Sequence, residues 1–168
     1  MPGMMDSILN IGLNDSNVFQ LAEAFNDERF ALDSYRRLIQ MYSNVVLGVE
    51  HERFEAVLAN KKRMDNVVSD ADFNVDQLNW IINAYKNTVE RFTDSLFPQE
   101  PYEQLTGAIE AVFNSWQNKR AVIYRKINNI PDSWGTGATI QTMVFGNLND
   151  KSGTVSYTHL RAHETQYH

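Results

Sequence analysis

The sequence of this 168-residue chain contains no cysteine, which excludes disulfides, thiolate metal sites and cysteine nucleophiles within it. It has no apolar run near the ~18 residues that a membrane-spanning helix needs. Basic residues are few, 15 against 21 acidic ones, and the formal net charge is -6. Because nucleic-acid surfaces need clustered Lys and Arg, we expect neither nucleic acid nor a membrane as a partner. A reducing cytoplasm is compatible with a chain that lacks cysteine.

What the chain does contain is typical of one globular domain, with 43% hydrophobic and 21% charged residues. Its basic cluster, Lys61-Lys62-Arg63, falls where a helix is predicted to end, and cations favour that end of the helix dipole. We therefore expect this cluster to be structural.

Apolar residues recur at helical spacing through most of the sequence, and capping signals predict where several helices begin. These signals are Asp15 or Ser16, Asp27, Asn74 with Gln77 three residues later, and Pro101. The buried face of the fourth helix is predicted to carry Leu78, Ile81, Ile82, Tyr85, Val89 and Phe92. The predicted helices cover residues 15–25, 27–47, 50–63, 74–92, 101–116 and 119–128.

The texture changes after these helices, because "ATIQTMVFGN" (138–147) alternates and carries residues that favour strands. "LNDKSG" then indicates the loop of a hairpin. The predicted fold class is mainly α, a helical subdomain with the first strand or strands of an incomplete β-hairpin, α+β overall. Since a lone hairpin is marginal in water, we expect the chain to be part of a larger protein.

Three stretches carry a family resemblance: "MPGMMDSILNIGLND", "RFALDSYRRLIQMY" and the long block from "FPQEPYEQL" to "QTMVFGN". In this order they resemble the amino-terminal nucleotide-binding region of the pyruvate, phosphate dikinase family, from Met1 to about Thr154. The resemblance implies the middle of an ATP-grasp domain with an inserted helical subdomain at 15–130. It also implies a cytoplasmic, homo-oligomeric parent enzyme that uses ATP, phosphate and Mg²⁺, and whose magnesium ligands lie outside this chain.

The activity implied by the resemblance is the interconversion of ATP, phosphate and pyruvate with AMP, pyrophosphate and phosphoenolpyruvate. Two other readings stay open: a related dikinase such as phosphoenolpyruvate synthase, and a helical interaction module without catalysis. We expect the chain alone to be inactive, because phosphoryl transfer needs donors and metal ligands that it lacks.

Several residues are candidates for the nucleotide site on this resemblance. The loop formed by Gly3, Met4, Met5 and Asp6 resembles a segment that lies against the nucleotide, where glycine permits close approach to phosphates. Backbone groups near Gln141, Met143 and Val144 are implied to contact the adenine edge. The residues Ser152, Gly153 and Thr154 resemble the start of a hairpin tip over the phosphates.

Arg37 resembles an arginine that lies near the transferred phosphate, and it is the one catalytic candidate. A second interpretation remains open: Arg37 follows Asp33 by four residues and would then form an exposed helical ion pair, worth a few tenths of a kcal/mol.

The last residues depart from the family pattern after Thr154. Residues 155–165 match the translation of a transposase-based sequencing adapter without a mismatch, so we predict that 155–168 is a non-native tail. His159 and His163, with Glu164, have a spacing that suits a metal-dependent hydrolase, but the order H-E-x-x-H is not met. His51, the remaining histidine, is expected to be an ordinary surface residue.

Overall fold

The computed structural model describes residues 6–148 and 151–153. Within these residues the regular structure is helical, in agreement with the mainly α prediction. Short 3-10 turns occupy Asp70–Asp72, Ser115–Gln117 and Asp132–Trp134. The α-helices are α1 (Val18–Phe25), α2 (Glu28–Val45), α3 (His51–Asp65), α4 (Val75–Thr93), α5 (Pro101–Asn114) and α6 (Lys119–Ile127).

The helix starts follow local capping chemistry. The Asp27 carboxylate accepts a hydrogen bond from the Phe30 N–H, and Asn74 with Gln77 forms the predicted capping box of α4. Pro101 occupies the first turn of α5, where its missing N–H costs nothing. The first helix is present, but the prediction that Asp15 or Ser16 caps it is wrong, because the N-cap of α1 is Asn17, with no side-chain cap bond.

The core forms around α2, which contacts α1, α3, α4 and α5. Leu38 and Ile39 of α2 are fully buried, as are Leu78, Ile81 and Tyr85 of α4. Burial of such apolar side chains contributes ~1.5–3 kcal/mol each relative to exposure, so the α2–α4 contact is the main stabilising element.

Phe92 is an exception to the predicted buried face of α4, because 45% of its surface is exposed. It lies in the last turn of the helix, and the Arg53 guanidinium stands 3.7 Å from its ring centroid. A cation over the ring face replaces core packing at this end of the helix.

A buried glutamine fixes the amino-terminal loop, a feature that the sequence did not reveal. Gln104 of α5 is fully buried, and its Oε1 accepts a hydrogen bond of 2.8 Å from the Gly12 N–H. Its Nε2 donates to the carbonyls of Leu13 at 3.0 Å and Pro98 at 2.8 Å. One side chain thus joins α5, the loop before α1 and the loop after α4.

The predicted strand at 138–147 is not confirmed, since no strand is assigned in the part of the chain that the structure describes. Residues 138–144 form no backbone hydrogen bond with other described residues. A strand exists only through pairing with a neighbour, and the described backbone provides no hydrogen-bonded partner for this segment. The segment is anchored instead by Phe145, whose ring lies 4.9 Å from that of Phe30 and 5.6 Å from that of Phe25.

Candidate functional site

A groove of about 760 Å³ runs along the outer side of α2, and we call it the α2 groove. Its walls come from α2, the start of α3, the turn at 69–71 and the segment after Phe145. The lining residues are Arg29, Asp33, Arg36, Arg37, Gln40, Met41, Asn44, His51, Ser69, Asp70, Ala71 and Asn147. Three arginines in one groove make it suited to an anionic ligand.

Arg36 forms the floor of the groove and is only 4% exposed. Its Nη2 lies 2.8 Å and its Nε 2.9 Å from Oδ1 of Asp33, and Asp70 stands 3.7 Å away. Burial lowers the pKa of Arg36, but the charge and hydrogen bond of Asp33 outweigh this, so the pKa is raised overall. Arg36 therefore remains a fully paired cation.

Arg37 lies next along α2 and is exposed on the groove wall. The described residues offer it no hydrogen bond or ion pair. The predicted helical pair between Asp33 and Arg37 is wrong, because Asp33 pairs with Arg36 three residues on. Arg37 thus presents a planar guanidinium whose donors are available to a ligand.

Arg29 also lines the groove, but two of its five donors bind the backbone. Its Nε donates to the carbonyl of Phe73 at 2.9 Å, and its Nη2 donates to that of Asp70 at 3.1 Å. These bonds tie the start of α2 to the turn before α4, so Arg29 acts as a structural clamp.

A polar network closes the far end of the groove. Gln40 Oε1 accepts from Arg36 Nη1 at 3.3 Å and from the Tyr85 hydroxyl at 3.4 Å, while its Nε2 donates to Glu55 at 2.7 Å. His51 contacts both Gln40 and Glu55, and its side chain is 54% exposed. His51 is therefore a surface residue at the groove edge, as predicted.

From the raised pKa of Tyr85 we expect the stability of the folded chain to depend on pH in the alkaline range. Burial, only partly opposed by Arg36, raises its pKa from 10.0 to about 12. Below pH 10 the Tyr85 hydroxyl is protonated in both the folded and the unfolded chain, and its contribution to the free energy of unfolding is complete. Between pH 10 and about 12 the unfolded state loses the proton first, so stability falls by ~1.4 kcal/mol per pH unit from this group.

The measurement is urea unfolding at pH 9, 10, 11 and 12 for the wild-type chain and for Tyr85→Phe. We expect the variant to show a shallower decline between pH 10 and 12. Tyr124→Phe at a partly exposed position is the matched control. Parallel declines in wild type and Tyr85→Phe would contradict the assignment.

Asp6 is not among the residues that line the α2 groove and lies in a second, smaller pocket with Val46, Gly107 and Asn118. Its carboxylate accepts a hydrogen bond from Asn118 Nδ2 at 3.0 Å and pairs with Arg120, and its N–H donates to Ser115 Oγ at 3.3 Å. These contacts hold the amino-terminal loop against the turn between α5 and α6. Gly3, Met4 and Met5 lie outside the described residues.

The segment with the adenine candidates approaches the groove through its last residues. Gln141 and Val144 are exposed and Met143 is half-buried, while Asn147 lies on the groove wall. Gly153 is exposed and Ser152 half-buried. Thr154, His159, His163 and Glu164 lie outside the described residues.

Residues 6–148 and 151–153 do not fit a metal site, because no three His, Asp or Glu side chains converge among them. Magnesium needs oxygen ligands in octahedral geometry, and the Asp33 and Asp70 carboxylates near the groove are engaged by arginine and lysine. None of the helices in these residues is long and apolar enough to cross a membrane.

Comparison with known proteins identifies the family. The model of the "Pyruvate phosphate dikinase, AMP/ATP-binding domain" family matches residues 1–166. The chain is 49% identical over 159 residues to a pyruvate, phosphate dikinase of Rhizobium meliloti (strain 1021), and 49% identical over 160 residues to that of Clostridium symbiosum. Each alignment covers 94% of this chain and 18% of the relative.

A pyruvate, phosphate dikinase of Giardia intestinalis is 47% identical over 154 residues, which cover 92% of this chain and 17% of the relative. The chain thus spans less than a fifth of the length of these curated relatives. Since the family model covers nearly every residue, the chain belongs to the pyruvate phosphate dikinase AMP/ATP-binding domain family.

Proposed function

We propose that this chain supplies part of the nucleotide site of a pyruvate, phosphate dikinase, which interconverts ATP, phosphate and pyruvate with AMP, pyrophosphate and phosphoenolpyruvate. The observation that carries the proposal is Arg37, an exposed guanidinium without a partner among the described residues, on the wall of a groove in a chain of this family. A planar donor fork can grip two phosphate oxygens at once.

Within this proposal the helices at 15–130 form the inserted subdomain of an ATP-grasp domain that spans 1–154. The segment near Gln141, Met143 and Val144 offers its backbone to the adenine edge. The N–H and C=O groups at 138–144 support this role, because they form no backbone hydrogen bond with other described residues and an adenine edge needs both donors and acceptors. The hairpin would form when a second strand pairs with this segment.

The ligands of magnesium come from outside the described residues, since these lack a carboxylate cluster. The parent enzyme is proposed to be cytoplasmic and homo-oligomeric. The tail at 155–168 is proposed to be non-native, and sequencing of the genomic locus tests this directly. A genomic reading frame that encodes the same residues 155–168 would refute it.

The test is an NMR titration of the ¹⁵N-labelled chain with two separate ligands, one that represents the phosphates of ATP and one that represents its base. Tripolyphosphate, which has no base, is expected to shift the Arg37 Nε–Hε resonance, whereas adenosine should shift the amides of 141–144. Arg37→Gln should lose about tenfold in tripolyphosphate affinity, because a charge-assisted hydrogen bond contributes ~1.5–3 kcal/mol.

The matched control is Arg63→Gln, which removes the same charge from an exposed residue near the end of α3. It should leave the affinity within about twofold, because Arg63 does not line the α2 groove and salt screens interactions between exposed charges. Equal losses for both variants would reduce the effect to net charge and contradict a site at Arg37. The absence of any shift with both ligands would favour a helical interaction module.

A further inference from the structure

We infer that Arg36 is a positioning residue for the α2 groove: it holds Asp33 and thereby keeps the neighbouring Arg37 free to bind an anion. This inference rests on the proposed phosphate role of Arg37. It concerns the competition of two adjacent arginines for one carboxylate.

Helix geometry makes both pairings possible. Asp33 lies three residues before Arg36 and four before Arg37, and side chains at both separations meet on a helix surface. The pair that forms is Asp33 with Arg36, through Nε at 2.9 Å and Nη2 at 2.8 Å. Both donors reach the same oxygen, Oδ1, so Asp33 is held by two bonds at once.

Burial explains why Arg36 takes the carboxylate. The side chains of Arg36 and Asp33 are only 5% and 14% exposed, whereas Arg37 lies on the surface. Charges attract more strongly where water is excluded, and an unpaired buried guanidinium is costly. An exposed pair between Asp33 and Arg37 would contribute only ~0.3–0.5 kcal/mol, too little to displace Arg36.

Further contacts fix the Arg36 fork in this orientation. Nη1 donates to Gln40 Oε1 at 3.3 Å, and Nη2 stands 3.7 Å from Asp70 Oδ2. Arg36 thus also offsets the negative charge of the carboxylates at the groove floor. Without it, Asp33 would both repel an anion and offer its oxygens to Arg37.

The inference predicts a rescue. In Arg36→Met the freed Asp33 should pair with Arg37, and affinity for inorganic pyrophosphate should fall about tenfold, the equivalent of ~1.4 kcal/mol. In the double variant Arg36→Met, Asp33→Asn the competing charge is gone. Its pyrophosphate affinity should return to within about threefold of wild type, although Arg36 is still absent.

The experiment uses the full chain, with calorimetric titration of pyrophosphate and ¹⁵N NMR of the arginine Nε–Hε groups. In wild type we expect fast solvent exchange for Arg37 Nε–Hε and slow exchange for Arg36. In Arg36→Met the Arg37 exchange should slow before any ligand is added, and it should recover in the double variant. Circular dichroism melts establish that each variant is folded.

Equal affinity losses in the single and double variants would overturn the inference, because a merely structural role of Arg36 predicts no rescue. If Arg36→Met does not fold, the wild-type exchange rates decide: slow exchange at Arg37 in the absence of ligand would show that it is already paired. If wild type binds no pyrophosphate, the phosphate role of Arg37 fails, while the Arg37 exchange rates in the two variants still test the competition for Asp33.

Discussion

Replacing Gln104 by leucine is expected to lower the free energy of unfolding by about 3 kcal/mol, because three partly buried main-chain groups would lose their partners. These groups are the Gly12 N–H and the carbonyls of Leu13 and Pro98, all bonded at 2.8 to 3.0 Å. Leucine fills a similar volume, so the cost comes from lost hydrogen bonds and not from a cavity. Urea unfolding of both proteins measures the difference.

Gln117→Leu is the matched control, since Gln117 is exposed in the turn after α5. It should change stability by less than ~0.5 kcal/mol, as surface substitutions usually do. Hydrogen exchange adds a local test: the Gly12 amide should lose protection in Gln104→Leu more than the core amides of α4 do. A stability change near that of the control would mean that water replaces the side chain.

This glutamine shows what the sequence could not reveal. In the α5 segment Gln104 follows Glu103 and precedes Leu105, and nothing in its spacing separates it from an exposed polar residue. Its burial follows from the loops at 12–13 and 98, which cross over α5 in the folded chain. Polar residues that satisfy distant loop backbone are set by tertiary contacts, so periodicity does not detect them.

The helices themselves were predictable, because their signals are local. The Asp27 cap, the box of Asn74 with Gln77 and the position of Pro101 involve residues at most three apart. The segment at 138–147 was not predicted correctly, because strand formation does not depend on local signals alone. Its alternating pattern predicts a strand, but strand formation also needs a pairing partner that local sequence does not supply.

The candidate site was predicted only in part. The sequence indicated Arg37 through a resemblance, and it left open whether Asp33 would pair with it. The structure shows that Asp33 contacts Arg36, because α2 turns Arg36 toward the core and Arg37 toward the groove. Adjacent side chains point about 100° apart on a helix, so one of two neighbouring arginines can be buried while the other is exposed.

Arg125→Met should also destabilise the chain strongly, by about 2–3 kcal/mol, and should loosen the connection to the segment at 138–147. Arg125 of α6 is 1% exposed, and its guanidinium stacks 4.0 Å from the Trp116 ring centroid. It donates to the Trp116 carbonyl, and its Nε lies 2.6 Å from Asp132 Oδ1. Its loss would leave a partly buried carbonyl unpaired and remove the cation from the ring.

Lys126→Met is the control, because Lys126 is an exposed neighbour with the same charge. Thermal melts should separate the two variants by several degrees, since ~1 kcal/mol shifts Tm by roughly 2–8 °C for domains of this size range. Asp132 begins the turn that contains Trp134, whose side chain is 74% exposed. Chymotrypsin should therefore cleave after Trp134 faster in Arg125→Met than in Lys126→Met.

Equal cleavage rates in the two variants would show that the turn holds its shape without Arg125. The Trp116 indole provides an independent contact, because its Nε1 donates to the Asp132 carbonyl at 3.3 Å. That bond alone is neutral and long, whereas the Arg125 bond to Asp132 is charge-assisted and shorter, so the arginine should dominate. The order of α6 and of the segment at 138–147 is thus expected to depend on one buried cation.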